Sequence, residues 1–422
     1  MRRWTVALCL VVLVPAPAQE RPVGPPLPII VHHADAFLGR HSDSGEVQEL
    51  VGNVWLQHGN AIVHCGAAVH YLASGLVLLR QNVRIEQGDL QISAPSIVYD
   101  PAAGTALAEH GVDIRQGQRR ITARWGIYEI LQRRLLFRTA VRYQDDTLAL
   151  WTDTLRYERS TGAAYAWGGV YAESPSERLA AEADTLDYQP SNGLLLLSGS
   201  VLLQQWDPDS TRGSLWLSAR RVLLRRREEP SLQASDSVEL LRDTLWAARA
   251  ESLQRYTSPE RFFLYGSPLV WYTTAELTAE TVEARRAAGQ LQQLVCTGQA
   301  RLRLATGIPE RFHQLRADTI TVVRQEDSLT ELIASGNARS LYCHRAADGA
   351  PEGLFRHGAD RIELSFSGDS LQSARWLGAV YGEFIPEPLV ADRFREWSLP
   401  GMLWRAERPQ LRSWRHRPRW LP

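Results

Sequence analysis

The sequence predicts an all-β protein: an elongated antiparallel β-jellyroll, V-shaped in section, built from about eleven two-strand repeats. Three observations carry that prediction. A motif recurs at fixed spacing, with Val54, Val83 and Val112 standing 29 residues apart each time. Apolar and polar residues alternate within each unit, as in Val83-Arg84-Ile85 and Leu90-Gln91-Ile92-Ser93-Ala94, the period of a half-buried strand. A glycine turn follows at the same phase in His58-Gly59-Asn60, Gln87-Gly88-Asp89 and Gln116-Gly117-Gln118. So short a connection reverses the chain at once, which makes neighbouring strands antiparallel.

Each motif opens on a small or polar pair, Gly52-Asn53, Gln81-Asn82 or His110-Gly111, and its second apolar run closes on Tyr71, Tyr99 or Tyr128. The motif valine recurs at Val141, Val170 and Val201, then more loosely at Val238, Val270, Ala300, Ala338 and Val380. The second half of a unit reads as alanine, a polar pair and an apolar residue, as in Ala183-Asp184-Thr185-Leu186, Ala317-Asp318-Thr319-Ile320 and Ala359-Asp360-Arg361-Ile362. Longer spacings late in the chain fall at polar stretches such as Asp207–Arg212, Arg225–Pro230 and Ala346–Gly353, where loop tips tolerate length.

In chain order, residues 1–18 have the form of a secretory signal: Arg2 and Arg3, an apolar run over Val6–Val14, then Ala16-Pro17-Ala18. Residues 19–28, with Pro22, Pro25, Pro26 and Pro28, read as an extended leader. The first β-jellyroll segment is expected over 29–200 and a second, more divergent one over 201–390. An Arg/Trp-rich tail follows over 391–422. No later stretch reaches the roughly 18 apolar residues of a spanning helix, so the expected location is the periplasm, in possible association with the outer membrane.

One apolar residue in two gives a sheet with one greasy and one wet face. A sheet of that size must fold over, because soluble proteins do not expose apolar areas so large. Two interiors are compatible with this: a packed core, or a lipid-sized trough. Small residues at inward phase, among them Ala94, Ala123, Ala172, Ala183, Ala317 and Ala359, argue for room between the walls. The lipid-binding groove is accordingly placed at Val54, Leu56, Val83, Ile85, Ala94, Val112, Ile114, Ala123, Val141, Val170, Val201 and Leu203. In the tail, Arg405, Arg412 and Arg415 are candidates for contact with phosphates or anionic head groups, with tryptophan at the interface; a solvated tail over the last strand edge is the plainer alternative.

The charges cancel at 47 against 47, and every basic residue is arginine, so nothing global points to nucleic acid. Cys65, Cys296 and Cys343 lie in apolar runs and read as buried thiols; a Cys296–Cys343 bridge is possible but unsupported by spacing. His64 and His70, six apart on a strand, are about 20 Å from each other, too far for one metal. No nucleophile elbow, phosphate loop or zinc pattern appears. The chain reads as non-enzymatic, without cofactor or metal.

The run Leu50-Val51-Gly52-Asn53-Val54, with His58-Gly59-Asn60, Cys65-Gly66-Ala67-Ala68 and Tyr71, resembles the OstA-like, LptA-type family of periplasmic lipopolysaccharide-transport proteins, as does Asn82-Val83-Arg84-Ile85 with Gln87-Gly88-Asp89. Gly66 departs from it, standing where an acidic residue is expected, and the chain is about twice as long as the short bridge protein. The resemblance implies a jellyroll that binds the acyl chains of lipopolysaccharide or lipid A. It also implies strand-edge pairing with other Lpt-type jellyrolls and a connection to an outer-membrane transport barrel. Two rivals are a structural or polysaccharide-binding β-solenoid with a solid core, which requires parallel pairing, and an outer-membrane barrel. Arg84, Glu86, Asp113 and Arg115 at outward positions argue against the barrel.

Overall fold

The computed structural model describes residues 29–42, 45–206, 214–225, 227, 229–242, 246–287, 290–324, 329–367, 370–402, 407–410 and 412–418. The expected signal and leader at 1–28, the insertion core at 207–213 and Arg405 lie outside them. Two compact units divide the chain. The described part of the amino-terminal unit is residues 29–201 with 414–418; that of the carboxy-terminal unit is 202–402, 407–410, 412 and 413.

Strand dominates both units, and every ladder among the described residues is antiparallel, as alternation and glycine turns require. Gly45–His58, Ala61–Tyr71, Val77–Gln87 and Leu90–Asp100 form a meander in which each strand pairs with the next. In the carboxy-terminal unit Gln290–Ala305, Phe312–Arg324, Leu329–Arg345 and Pro351–Ser367 do the same. Helix is confined, among the described residues, to the single turns Glu387–Val390 and Phe394–Trp397.

The repeat turns out to be a corner. At eleven places among the described residues, one or two residues of positive φ interrupt a strand: Gly52-Asn53 (78° and 44°), Gln81-Asn82 (66° and 58°), Thr139-Ala140, Gly168-Gly169 and so on to Gly378-Ala379. The ladder skips there, between Val51 and Val54, Arg80 and Val83, Arg138 and Val141, Trp167 and Val170. Two left-handed residues bend the strand sharply, which is why glycine and asparagine recur at this point. The motif valine is the first residue after the bend.

A polar side chain from the preceding strand covers most corners. Asp35 accepts from Asn53 Nδ2 at 3.0 Å, and its backbone N–H donates to Gly52 O at 2.9 Å. A Cβ on Gly168 would lie 2.7 Å from the Asp153 Cβ, and Asp184, Glu251, Asp318 and Asp360 crowd Gly199, Gly266, Gly336 and Gly378 in the same way. Gly66, which departs from the acidic pattern, fits this rule with the roles exchanged: the Gln81 side chain of the next strand lies over it.

Within each unit, each long strand thus contributes one half to each of two walls that diverge from its corners. Where the walls converge, motif valines pair with alanines, Val83 with Ala94, Val112 with Ala123 and Val170 with Ala183. All six are buried. Alanine here is what lets the walls meet, not what keeps them apart, and the room expected beside these alanines lies elsewhere. Gly126 serves the same purpose: a Cβ on it would strike Val112 and Phe137, which is why Phe137 fits. The thiols of Cys65, Cys296 and Cys343 are free and buried, and burial pushes the Cys343 thiol up to about 11.

Candidate functional site

The space between the walls of the amino-terminal unit opens further from the corners, near the turn tips. A cavity of about 100 Å³ lies there. One wall supplies Ile92, Ile114, Ile121, Tyr143 and Leu150; the facing wall supplies Tyr128, Leu135, Leu155, Tyr157 and Tyr188. Strand alternation aims these residues inward, and the divergence of the walls leaves them unable to interlock. Ala164, beside the turn after Ala149–Glu158, adds to the room.

Polar groups gather at the turn-tip side. Arg159 Nη1 donates to the Tyr128 hydroxyl at 3.2 Å, and its guanidinium stands 5.8 Å from that ring. Arg119 and Gln116, flanking the glycine turn at Gly117, also line the cavity. Tyr143 donates to Asp145 Oδ2 at 2.7 Å, while Asp145 Oδ1 accepts from the Thr147 and Leu148 amides and the Thr147 hydroxyl. Burial first, then Asp145, pushes the Tyr143 phenol far up, with Arg119 opposing. Burial also raises Tyr157, against Arg119 and Arg159. Both phenols are neutral at any physiological pH. The site is therefore an apolar slot with hydroxyls and two guanidiniums at one rim, the make-up of a ligand pocket.

The sequence-predicted groove residues fall unevenly around this space. Val54, Leu56, Val83, Ala94, Val112, Ile114, Ala123, Val141, Val170, Val201 and Leu203 are buried and Ile85 is half-buried. Ile114 is the one of the twelve that lines the cavity. The valines sit at the corners, where the walls are closest, and the open volume begins two to four residues beyond. Leu135, Tyr143, Leu150, Tyr157 and Arg159 were not singled out from the sequence. A signal for them existed: Tyr157 and Tyr188 continue the tyrosine series of Tyr71, Tyr99 and Tyr128 at near-repeat spacing.

The tail arginines are held by the protein's own carboxylates. Arg412 pairs with Glu239 at 2.7 Å in the carboxy-terminal unit. In the amino-terminal unit Arg415 pairs with Glu182 at 3.3 Å and Asp184 at 3.2 Å, and the backbone N–H groups of Arg415 and His416 donate to Glu182 Oε2 at 2.5 and 2.7 Å. Trp414 meets Tyr171 edge-on at 5.4 Å. Because Val170 and Ala183 face inward, Tyr171 and Glu182 face outward, and residues 414–418 cover that outer patch. In the carboxy-terminal unit, residues 387–402 cover another outward patch: Val390, Phe394, Leu399 and Met402 pack on Leu341, Cys343, Leu354 and Ile385. Gln314 fixes that contact by accepting from Leu399 N at 2.8 Å and donating to Ser398 Oγ at 3.1 Å.

Among the described residues the first strand edge is open. Ile29–His33 and Ala36–Ser42 each pair, among the described residues, with Gly45–His58 alone. Ile29, Val31 and Phe37 are exposed along it, Phe37 to 63%. On the outer face beside it, His32, Trp55 and His64 stack at 4.6 and 5.9 Å, so His64 belongs to an aromatic row.

Compared with known proteins, residues 28–125 match the family described as OstA-like protein. Among solved structures, the chain is similar to LptH from Pseudomonas aeruginosa, the LptA-homologous periplasmic component of that organism's lipopolysaccharide transport device. The identity is 12% and the TM-score 0.24, over 26% of this chain and 82% of that one. No curated protein matches the chain.

Proposed function

We propose, for a chain whose amino-terminal stretch is OstA-like, that the protein is an exported periplasmic carrier which shields acyl chains of lipopolysaccharide between its two walls and helps bridge the inner and outer membranes. The observation that carries this reading is the apolar cavity at the mouth of the amino-terminal unit. A sandwich needs no such space, and closing it would gain dispersion contacts that the molecule forgoes. Burying a chain in it is worth about 0.8 kcal/mol per methylene.

Partners follow from the edge. Backbone on Ile29–His33 and Ala36–Ser42 that is unpaired among the described residues, with Phe37 and Val31 beside it, is a template for a strand of another β-jellyroll. We assign that role to Lpt-type components and place an outer-membrane barrel at the far end of the same route. A parallel polysaccharide-binding solenoid is disfavoured by the antiparallel ladders. The chemistry of the slot, hydroxyls and guanidiniums with no nucleophile beside a base, supports a binding protein rather than an enzyme.

The test is photocrosslinking in the living cell. A benzophenone residue at Leu135 or Ile121 is expected to capture lipopolysaccharide, and one at the outward Arg84 is not. Capture at Arg84 with none at Leu135 and Ile121 would overturn the assignment.

A further inference from the structure

We infer that the cavity is selective for an acyl chain bearing an anionic group at its head, carboxylate or phosphate, which Arg119 and Arg159 hold at the rim while the chain tip enters between the walls. This rests on the acyl-chain reading above and adds to it the head group and the direction of entry.

The lining divides by chemistry along its length. Toward the corners it is mainly hydrocarbon, Ile92, Ile114, Leu150, Leu155 and Leu186, with Tyr143 level with Ile121; at the turn tips Leu90, Leu135 and Leu148 stand beside Tyr128, Tyr157, Tyr188 and the two guanidiniums. Arg119 opens the strand Arg119–Ala123 and Arg159 follows the strand Ala149–Glu158, so both stand where the walls are furthest apart. Tyr128 steadies Arg159 by hydrogen bond and by its ring face. No carboxylate is among the described lining residues. Glu129, Glu158 and Asp187 sit next to lining residues in sequence but at the opposite strand phase, and Asp145 has both oxygens engaged by its own turn and by Tyr143. A cationic rim beside a low-dielectric slot favours an anion on a greasy stem, and a guanidinium fork meets carboxylate or phosphate with two parallel donors. About 100 Å³ is room for the tip of one chain and not for several. Each seat therefore matches one chain and one charge.

Competition against a fluorescent probe, dansyl-undecanoic acid, reads this out on the full-length protein. Dodecanoate and dodecyl phosphate are expected to displace it about tenfold better than dodecanol, the gap one charge-assisted contact supplies. Millimolar inorganic phosphate is expected to leave it bound. In the Arg119→Gln/Arg159→Gln double variant the gap should close to about twofold while dodecanol keeps its affinity, and an unchanged far-ultraviolet spectrum checks the fold. Arg159→Lys, which retains charge but not the fork, should fall between. If dodecanol competes as well as the anions, the head-group inference is overturned and the acyl-chain reading stands. Equal displacement by inorganic phosphate marks a free-anion site and overturns it too. If the probe does not bind at all, the acyl-chain reading itself fails.

Discussion

Phe137 and Tyr171 are equally buried, each about 1% exposed, but by different means. Phe137 is enclosed by the two walls of its unit beside Gly126 and Val112. Tyr171 lies on the outward side of a wall and is covered by Trp414 and the segment after it. The first burial can be undone only by opening the jellyroll; the second only needs a short stretch of chain to lift. Polar chemistry follows that distinction. Among the described residues no carboxylate lines the inner slot, whereas the outer patch contains Glu182, 2% exposed, because two backbone N–H groups and a guanidinium meet it there. Burial pushes the Tyr171 phenol up to about 12, with Glu173 adding to it and Arg417 opposing.

Three experiments can break or sharpen this contrast. The largest effect is expected at the inner residue. Phe137→Ala should cost about 3–5 kcal/mol in denaturant unfolding, since a hole between converging walls cannot collapse. Tyr171→Ala should cost roughly half as much or less, because water replaces the lost ring once the tail shifts. Equal losses would mean the tail is as much a part of the core as the walls are.

Next come the corners. Gly168→Ala introduces a side chain at φ +85° and against Asp153, with an expected loss of about 1–3 kcal/mol. Gly88→Ala, at φ +61° in an open turn, meets nothing within 4 Å and should cost only about 1 kcal/mol. A melting temperature that falls as far for Gly88 as for Gly168 would remove the covering carboxylate from the account of the corner.

The smallest effect is on acidification. Burial raises Asp184, but the Ser200 amide, Arg415 and His416 outweigh it and hold the carboxyl below its usual range. Its contribution is therefore complete above the unfolded value of about 3.9 and is lost as pH falls through the lower folded value. Being half exposed, the pair is worth under about 1 kcal/mol. Hydrogen exchange of the Arg415 and His416 amides should quicken below pH 4 in the wild type, and less so in Asp184→Asn. Exchange that is flat with pH, after correction for the intrinsic rate, would retire Asp184 as a tail contact.

Much of the architecture could be read from residue order. Val83-Arg84-Ile85 announces a strand and its inward face, and Gln87-Gly88-Asp89 announces the reversal. The pairs Gly52-Asn53 and Gly168-Gly169 even carried the composition of a left-handed corner, though spacing alone presented them as a lead-in to a valine. The groove was less legible. Val83 and Ile114 have the same phase, but Val83 lies at the convergence of the walls and Ile114 two residues past its corner. Arg412 and Arg415, candidates for phosphate contact in the sequence, found carboxylates far away along the chain.

Period, alternation and turn chemistry are local, written inside each unit of about 29 residues, and they suffice for an antiparallel, all-β chain with a known inward face. How far the walls stand apart at a given residue depends on side chains meeting from opposite strands. Whether Glu182 is a surface charge or a buried one depends on Arg415, 233 residues away. Such contacts leave no periodic trace, because packing is set by volume and charge at the point of meeting rather than by any spacing along the backbone.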